Sequence, residues 1–217
     1  MKSILIIGMG KFGHHLCRNL IELNNDEIMI VDQNEAVMED MIPYVTNARI
    51  GDCTKEEVLR SLGVQNFDVC FVCIGAHFQS NLEITSLLKD LGAKYVVSKT
   101  NRDVHAKFLL RNGADEIIYP DKDISEKTAI KFSDNHIFDY IEVTDDYAIY
   151  EIPALPEWVG KTILQVNVRA KYNINILGIK QGDKSDFMPS PAHVFSNDEH
   201  LLVLADRNDL NKLLKRF

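Results

Sequence analysis

The chain has 217 residues, the size of one or two domains, which excludes a large multidomain assembly. Hydrophobic residues make up 46% and charged residues 26%, as in ordinary globular proteins, so the composition argues against disorder. Lys and Arg total 24 against 32 Asp and Glu, and the net charge of −8 disfavours nucleic acid as a partner. No apolar run approaches the ~18–20 residues of a membrane span, and the N-terminus lacks the apolar region of a secretory signal, so we expect a cytoplasmic protein.

Short apolar segments alternate with helical patterns over residues 1–135. The predicted strands are Ser3–Ile7, Glu27–Val31, Ala48–Ile50, Asp68–Ile74, Lys94–Ser98 and Asp115–Tyr119. Most are rich in Ile and Val without strict polar alternation, which is typical of strands buried on both faces. Between the first two, Phe12, Leu16, Leu20 and Leu23 form the apolar stripe of a helix. This alternation predicts an α/β fold with a doubly wound, Rossmann-type parallel sheet.

The pattern changes after residue 135. The predicted elements are strands at Ile137–Val143, Tyr147–Ile152, Ile174–Ile179 and Leu201–Ala205, a short helix at Thr162–Tyr172 and a terminal helix at Asn208–Arg216. We therefore expect a nucleotide-binding domain over 1–135 and a second, small α+β domain over 136–217. So small a unit has a limited core, and such units are often completed by a partner.

A glycine-rich motif joins the first predicted strand to the first helix. Its residues are Gly8, Met9, Gly10, Lys11, Phe12 and Gly13, which spell G-x-G-x-x-G. In such a loop the first glycine permits the tight turn, the second admits a phosphate to the backbone, and the third lets the helix pack on the sheet. Asp32 ends the second strand about 20 residues later, where a carboxylate accepts hydrogen bonds from ribose hydroxyls and repels a 2′-phosphate. A glycine-rich turn without a ligand is the alternative.

Further candidates follow the carboxyl ends of the other strands, where ligands of such folds bind. They are Gln33, Asp52, Cys53, Ile74, Gly75, Ala76 and Lys99. Asp52 and Cys53 suit an adenine edge, and Lys99 suits a phosphate. For Asp52 and Lys99, an ordinary loop role is an equally good interpretation.

Two motifs look chemical but have structural interpretations. Cys70 and Cys73 have the spacing of a redox or zinc pair, but on a strand residues i and i+3 face opposite sides, so we predict two buried structural cysteines. Tyr95 and Lys99 match the Y-x-x-x-K pair of some dehydrogenases, which needs a helix rather than a strand. We therefore predict no catalytic residues and no metal site.

The motifs of residues 1–135 together resemble the N-terminal RCK domain (regulator of conductance of potassium) of Trk/Ktr-type potassium-uptake regulatory subunits. The matching segments are Ile6–Gly13, Val31–Asp32, Gly51–Thr54, Phe71–Ala76, Gln79–Asn81 and Asn112–Asp115. The second unit resembles the C-terminal RCK domain through Gly160–Ile163, Asn167–Tyr172, Ile176–Ile179 and Leu201–Leu204. The most similar form is the cytoplasmic Ktr subunit, which has one domain of each kind. The resemblance gives residues 136–217 a crossover segment and a regulatory, dimerising role.

The resemblance implies a regulator rather than an enzyme. Such subunits form homodimers that assemble into an octameric ring on the inner face of the plasma membrane, bound to a potassium-transporter subunit. They bind ATP, ADP or NAD(H), and the ligand changes the ring and gates the transporter. By analogy Gly8, Gly10, Gly13 and Lys99 hold phosphates and Asp32 the ribose. Asp52 and Cys53 then border the adenine, and Gly75 and Ala76 the far side of the pocket.

Two further implications concern ligand choice. Lys11 stands where relatives often carry an Arg that reaches a terminal phosphate across the subunit boundary, and Lys lacks its bidentate fork. Some relatives also bind cyclic di-AMP in the C-terminal domain. The corresponding residues here are Ile163, Leu164, Asn167, Arg169, Asn175 and Ile176. Plain dimer-interface residues explain the same pattern.

Two other functions compete with a transporter regulator. An NAD-dependent oxidoreductase would use the same glycine loop but needs an acid or base beside the nicotinamide. A free-standing NADH-sensing protein would bind the same coenzyme and act on another protein.

Overall fold

The computed structural model describes residues 1–23, 27–75, 77–144 and 146–217. The chain divides into two compact units, Met1–Lys122 and Asp123–Phe217. The functional division at residues 135 and 136 stays a prediction. Within the described ranges, none of the helices has both the length and the apolar character needed to cross a bilayer.

The first unit is built on a six-stranded sheet. Its strands are β1 (Ser3–Ile7), β2 (Glu27–Asp32), β3 (Asn47–Ile50), β4 (Val69–Val72), β5 (Val96–Lys99) and β6 (Glu116–Ile118). They lie in the order β3-β2-β1-β4-β5-β6, and every neighbouring pair is parallel. The connecting helices are α1 (Lys11–Leu23), α2 (Glu56–Leu62), α3 (Phe78–Asp90) and α4 (Asp103–Arg111), and α5 (Pro120–Ser133) follows β6. The predicted Rossmann-type sheet is confirmed.

Alternation along β1 gives the sheet two apolar layers. Leu5 and Ile7 belong to one cluster of buried side chains, to which α3 contributes Leu88. Ile4 and Ile6 belong to the other, to which α1 contributes Cys17. Helices therefore cover both faces, because each face presents its own row of branched apolar side chains.

The Cys70/Cys73 motif is split between these two layers. Cys70 lies in the layer with Leu5, and Cys73 lies in the layer with Cys17. Burial raises the pKa of the Cys70 thiol and of the Cys73 thiol to about 12, so both stay protonated at neutral pH. The prediction of two buried, unpaired cysteines is confirmed.

The second unit has an antiparallel sheet in the order β10-β9-β11-β8-β7. Its strands are β7 (Asp139–Glu142), β8 (Tyr147–Pro153), β9 (Asn175–Gln181), β10 (Lys184–Asp186) and β11 (His200–Asp206), and its helices are α6 (Ile163–Val166), α7 (Val168–Tyr172) and α8 (Arg207–Leu214). Trp158 is buried in its core among Phe195 and other apolar side chains. The predicted small α+β domain is confirmed.

Two local features differ from the sequence prediction. The single helix predicted over Thr162–Tyr172 is interrupted, because Asn167 adopts a left-handed conformation (φ 52°) that ends α6 before α7 begins. Strand β10 was not predicted, since its residues are all exposed and carry no apolar alternation. It forms by pairing back onto β9 across a turn at Gly182.

Candidate functional site

The three motif glycines of the β1–α1 loop have different structural reasons. Gly8 has φ +94°, which favours glycine, and a Cβ there would lie 2.9 Å from Cγ1 of Ile74. A Cβ on Gly13 would lie 2.1 Å from the carbonyl oxygen of Gly8. A Cβ on Gly10 would meet no atom within 4 Å. The loop's shape therefore requires Gly8 and Gly13, whereas Gly10 borders open space that an anion can enter.

Asp32 connects the end of β2 to this loop. One oxygen of its carboxylate accepts the backbone N–H of Met9 at 2.7 Å, and the other accepts that of Asn34 at 2.9 Å. Each carboxylate oxygen keeps capacity for a further hydrogen bond, such as one from a ribose hydroxyl. Asp32 thus anchors the glycine loop, a role that the sequence analysis did not assign to it.

Gln33 and Asp52 meet at the carboxyl ends of β2 and β3. Oδ1 of Asp52 accepts hydrogen bonds from the Thr54 hydroxyl at 2.6 Å and from Nε2 of Gln33 at 3.0 Å. The Thr54 hydroxyl is the main cause that lowers the pKa of Asp52, so this carboxylate is charged at neutral pH. Cys53 beside it is buried in the core, and burial raises its thiol pKa to about 12. Its contact with an adenine stays a prediction.

Lys99 and Gly75 lie together at the ends of β5 and β4. A Cβ on Gly75 would lie 2.5 Å from Nζ of Lys99, so only glycine leaves this ammonium its place. The same Nζ lies 5.8 Å from the centre of the Phe12 ring. Among the described residues Lys99 makes no ion pair, which leaves its charge for a ligand. Ala76, also a predicted site residue, lies outside the described residues.

Asn81 was not predicted as a site residue, yet it holds the ends of β4 and β5 together. Its Nδ2 donates to the carbonyl oxygen of Ile74 at 2.6 Å and to that of Lys99 at 2.7 Å. Its Oδ1 accepts from the hydroxyl of Thr85, which in turn lies 2.7 Å from that of Ser98. The sequence does carry a signal for this role: Asn81 is a polar residue that lies three positions before Ile84, on the buried face of α3.

Of the six residues predicted for a second ligand in the C-terminal unit, the structure brings four together. Ile163, Arg169, Asn175 and Ile176 line one groove of about 350 Å³, together with residues such as Phe187 and Pro191. Among the described residues that line it, Leu164 and Asn167 are absent. Leu164 is instead 73% exposed, and Asn167 forms the turn between α6 and α7. One cation beside apolar side chains suits a ligand with both phosphate and base.

Comparison with known proteins follows the same division of the chain. A model of the TrkA-N domain matches residues 4–120, and one of the TrkA-C domain matches residues 147–217. The chain belongs to the Trk/Ktr family of proteins with these two domains. The resemblance found in the sequence is thereby confirmed.

Relatives of this Trk/Ktr family member match over nearly their whole length. The chain is 34% identical to Ktr system potassium uptake protein C of Bacillus subtilis (strain 168), covering 99% of this chain and 97% of that protein. It is 35% identical to Ktr system potassium uptake protein A of the same organism, covering 97% of this chain and 95% of that protein.

Solved structures share the fold of this Trk/Ktr protein. The RCK domain of GsuK superposes on this chain with a TM-score of 0.68 at 19% identity. The match covers 99% of this chain and 47% of the GsuK chain. The GsuK channel bound to NAD gives the same TM-score and identity, and that match covers 99% of this chain and 39% of the channel chain. At this identity the likeness concerns the fold alone.

Proposed function

We propose that this protein is a cytoplasmic, nucleotide-binding regulatory subunit of a potassium uptake transporter rather than an enzyme. Its relatives from Bacillus subtilis are Ktr system potassium uptake proteins that match over nearly their whole length. The observation that carries the nucleotide-binding role is the open space at Gly10, beside the Asp32 carboxylate. Lys99, which makes no ion pair with any described residue, adds a charge for phosphate at the same sheet edge.

The ligand we infer is ATP, ADP or NAD(H). Its phosphates would lie over the loop formed by Gly8, Met9, Gly10, Lys11, Phe12 and Gly13, with Lys99 supplying a further charge. Asp32 and Gln33 would hold the ribose, and Asp52 and Cys53 would border the adenine. Ile74, Gly75 and Ala76 would close the other side. Binding there is supported by the remaining hydrogen-bonding capacity of the Asp32 carboxylate and by the Lys99 charge, which no described residue neutralises in an ion pair.

Regulation requires the ligand to prefer one assembly state over another. We infer homodimers that assemble into an octameric ring on the inner face of the plasma membrane, bound to the transporter's membrane subunit. A nucleotide shifts such a ring only by its difference in affinity for the two states, typically about 1–3 kcal/mol. ATP and ADP differ in their preference for the two states when a cation of the protein reaches the terminal phosphate of ATP in one state only.

Lys11 is the cation that we expect to read the terminal phosphate. Its side chain is exposed at the first position of α1, where the helix dipole also favours an anion. Replacing Lys11 by Ala is expected to weaken ATP binding about fivefold while changing ADP binding less than twofold. Isothermal titration of both nucleotides measures this.

One control variant accompanies that titration. Lys184→Ala removes another exposed charge, from β10 in the second unit, and is expected to leave both affinities unchanged. Equal losses for ATP and ADP in Lys11→Ala would remove Lys11 as the sensor. Failure of the wild-type chain to bind any adenine nucleotide, or its turnover of NADH with small alcohols or acids, would overturn the regulatory proposal itself.

The groove of the C-terminal unit is the second ligand site that we propose, with cyclic di-AMP as its ligand. Arg169 would pair with a phosphate, and Ile163 and Ile176 would pack on the bases, with Asn175 beside them. Leu164 and Asn167 would act from a partner-facing surface or only as scaffold. The groove supports this by combining one cation with apolar walls.

Arg169→Ala is expected to weaken cyclic di-AMP binding about tenfold, because it removes the charge-assisted hydrogen bond that the guanidinium would donate to a phosphate of the ligand. Lys171→Ala is the matched control, since Lys171 is an exposed cation on the same helix that does not line the groove. Titration with cyclic di-AMP and with ATP measures both. Unaltered cyclic di-AMP affinity in Arg169→Ala would contradict the site.

A further inference from the structure

Asn81 is a buried polar side chain of the first unit that joins two segments of the sheet. It is 2% exposed on the first turn of α3, and its NH₂ group has two protons for two carbonyls. One carbonyl belongs to Ile74, which follows β4, and the other to Lys99, which ends β5. A buried amide with every donor used is costly to replace, because both carbonyls would lose their partner.

These two hydrogen bonds begin where the sheet itself stops joining the two strands. The last paired residues of β4 and β5 are Val72 and Ser98. Ile74 lies two residues beyond Val72 and is outside the pairing with β5, whereas Lys99 follows Ser98 as the last residue of β5 and also pairs with Ile118 of β6. The Asn81 amide therefore ties the segment that follows β4 to the end of β5, through bonds of 2.6 Å to Ile74 and 2.7 Å to Lys99.

The orientation of the Asn81 amide agrees with the hydroxyls that surround it. The hydroxyl of Thr85 donates to Oδ1 of Asn81, which directs the NH₂ group to the two carbonyls. Because that proton is used, the hydroxyl of Ser98 must donate to Thr85 at 2.7 Å. The Asn81 side chain therefore has hydrogen-bond partners on both sides: the two carbonyls at the strand ends and the buried hydroxyls of Thr85 and Ser98.

We propose that Asn81 is the positioning residue for phosphate recognition, acting through Lys99. By holding Ile74, and with it Gly75, against the end of β5, it keeps open the space beside Gly75 in which Nζ of Lys99 lies near the Phe12 ring. Asn81 itself is buried and does not touch the ligand space. This inference rests on the proposed nucleotide-binding function, and its effect is on the placement of a charge.

A double-mutant cycle on the full chain tests this coupling. ATP affinity is measured by titration calorimetry for the wild type, Asn81→Leu, Lys99→Met and the double variant. Asn81→Leu is expected to weaken ATP binding about tenfold in the wild-type background and less than twofold in the Lys99→Met background. A purely structural role predicts the same loss in both backgrounds.

Two variants keep the test decisive. Thr85→Val removes a buried hydroxyl of the same network, but the two carbonyls can only accept and still select the NH₂ group of Asn81, so we expect its ATP affinity to stay within twofold of the wild type. Asn81→Ser, which retains a donor but is too short to span both carbonyls, replaces Asn81→Leu in the cycle if thermal unfolding finds that variant unfolded. Additive losses in the cycle overturn the positioning role. A wild-type chain that binds no nucleotide overturns the proposed function instead.

Discussion

Replacing Gly13 by Ala is expected to destabilise the first unit by about 2–3 kcal/mol and to weaken ATP binding by at least about 100-fold. The added Cβ would lie 2.1 Å from the Gly8 carbonyl oxygen and 3.3 Å from the Cβ of Cys73. Backbone cannot yield as a flexible side chain does, so the loop or α1 must move. Movement there displaces the N–H groups that would face the phosphates. Urea unfolding and ATP titration measure the two effects.

Gly10→Ala is the matched control for this loop. Its Cβ would meet no atom within 4 Å, so the free energy of unfolding is expected to change by less than about 0.5 kcal/mol. ATP binding is still expected to fall at least about tenfold, since the methyl group occupies the approach of the phosphate. Wild-type ATP affinity in Gly10→Ala would mean that phosphates do not bind over this loop. A fully stable Gly13→Ala would contradict the packing argument.

Much of the fold is predictable from local pattern. Strands such as β1 and β5 are Ile- or Val-rich and buried on both faces, so their sequence carries the information on its own. β10 is different, because its three residues are exposed and pair with β9 only through the Gly182 turn. The break between α6 and α7 depends on one left-handed Asn167, which residue periodicity does not reveal.

The candidate site divides in the same way. The glycine motif is predictable because each glycine answers a local steric need in a strand–turn–helix unit. The role of Asn81 is not, because one of its two carbonyl partners, Lys99, lies 18 residues away and comes near only when β4 and β5 are neighbours. The bond between Asp32 and Met9 spans 23 residues for the same reason. Motifs identify side chains that face a ligand, whereas tertiary structure identifies the groups that hold them.

Asp32→Ala is expected to weaken ATP binding by about 100-fold, or about 2.7 kcal/mol. The substitution removes the acceptor of the Met9 and Asn34 N–H groups and with it the anchor of the glycine loop. A hydrogen bond to a charged acceptor is worth about 1.5–3 kcal/mol, so losing the ribose contact, with the loop no longer anchored beside it, accounts for an effect of this size. Asp40→Ala is the control, because it removes an exposed carboxylate that pairs with His14.

Anchoring of the loop and binding of the ribose by Asp32 are separable with 2′-deoxy-ATP. If the carboxylate accepts the 2′-hydroxyl, the wild-type chain is expected to bind ATP about tenfold more tightly than 2′-deoxy-ATP, and Asp32→Ala is expected to lose that preference. If Asp32 were an anchor alone, Asp32→Ala would weaken the binding of both nucleotides equally, and the wild type would show no preference between them.

The Asp32 carboxylate also repels a 2′-phosphate, so NADH is expected to bind more tightly than NADPH in the wild type, with the ratio of the two affinities narrowing in Asp32→Ala. Equal affinity of the wild type for NADH and NADPH would place the carboxylate away from the ribose.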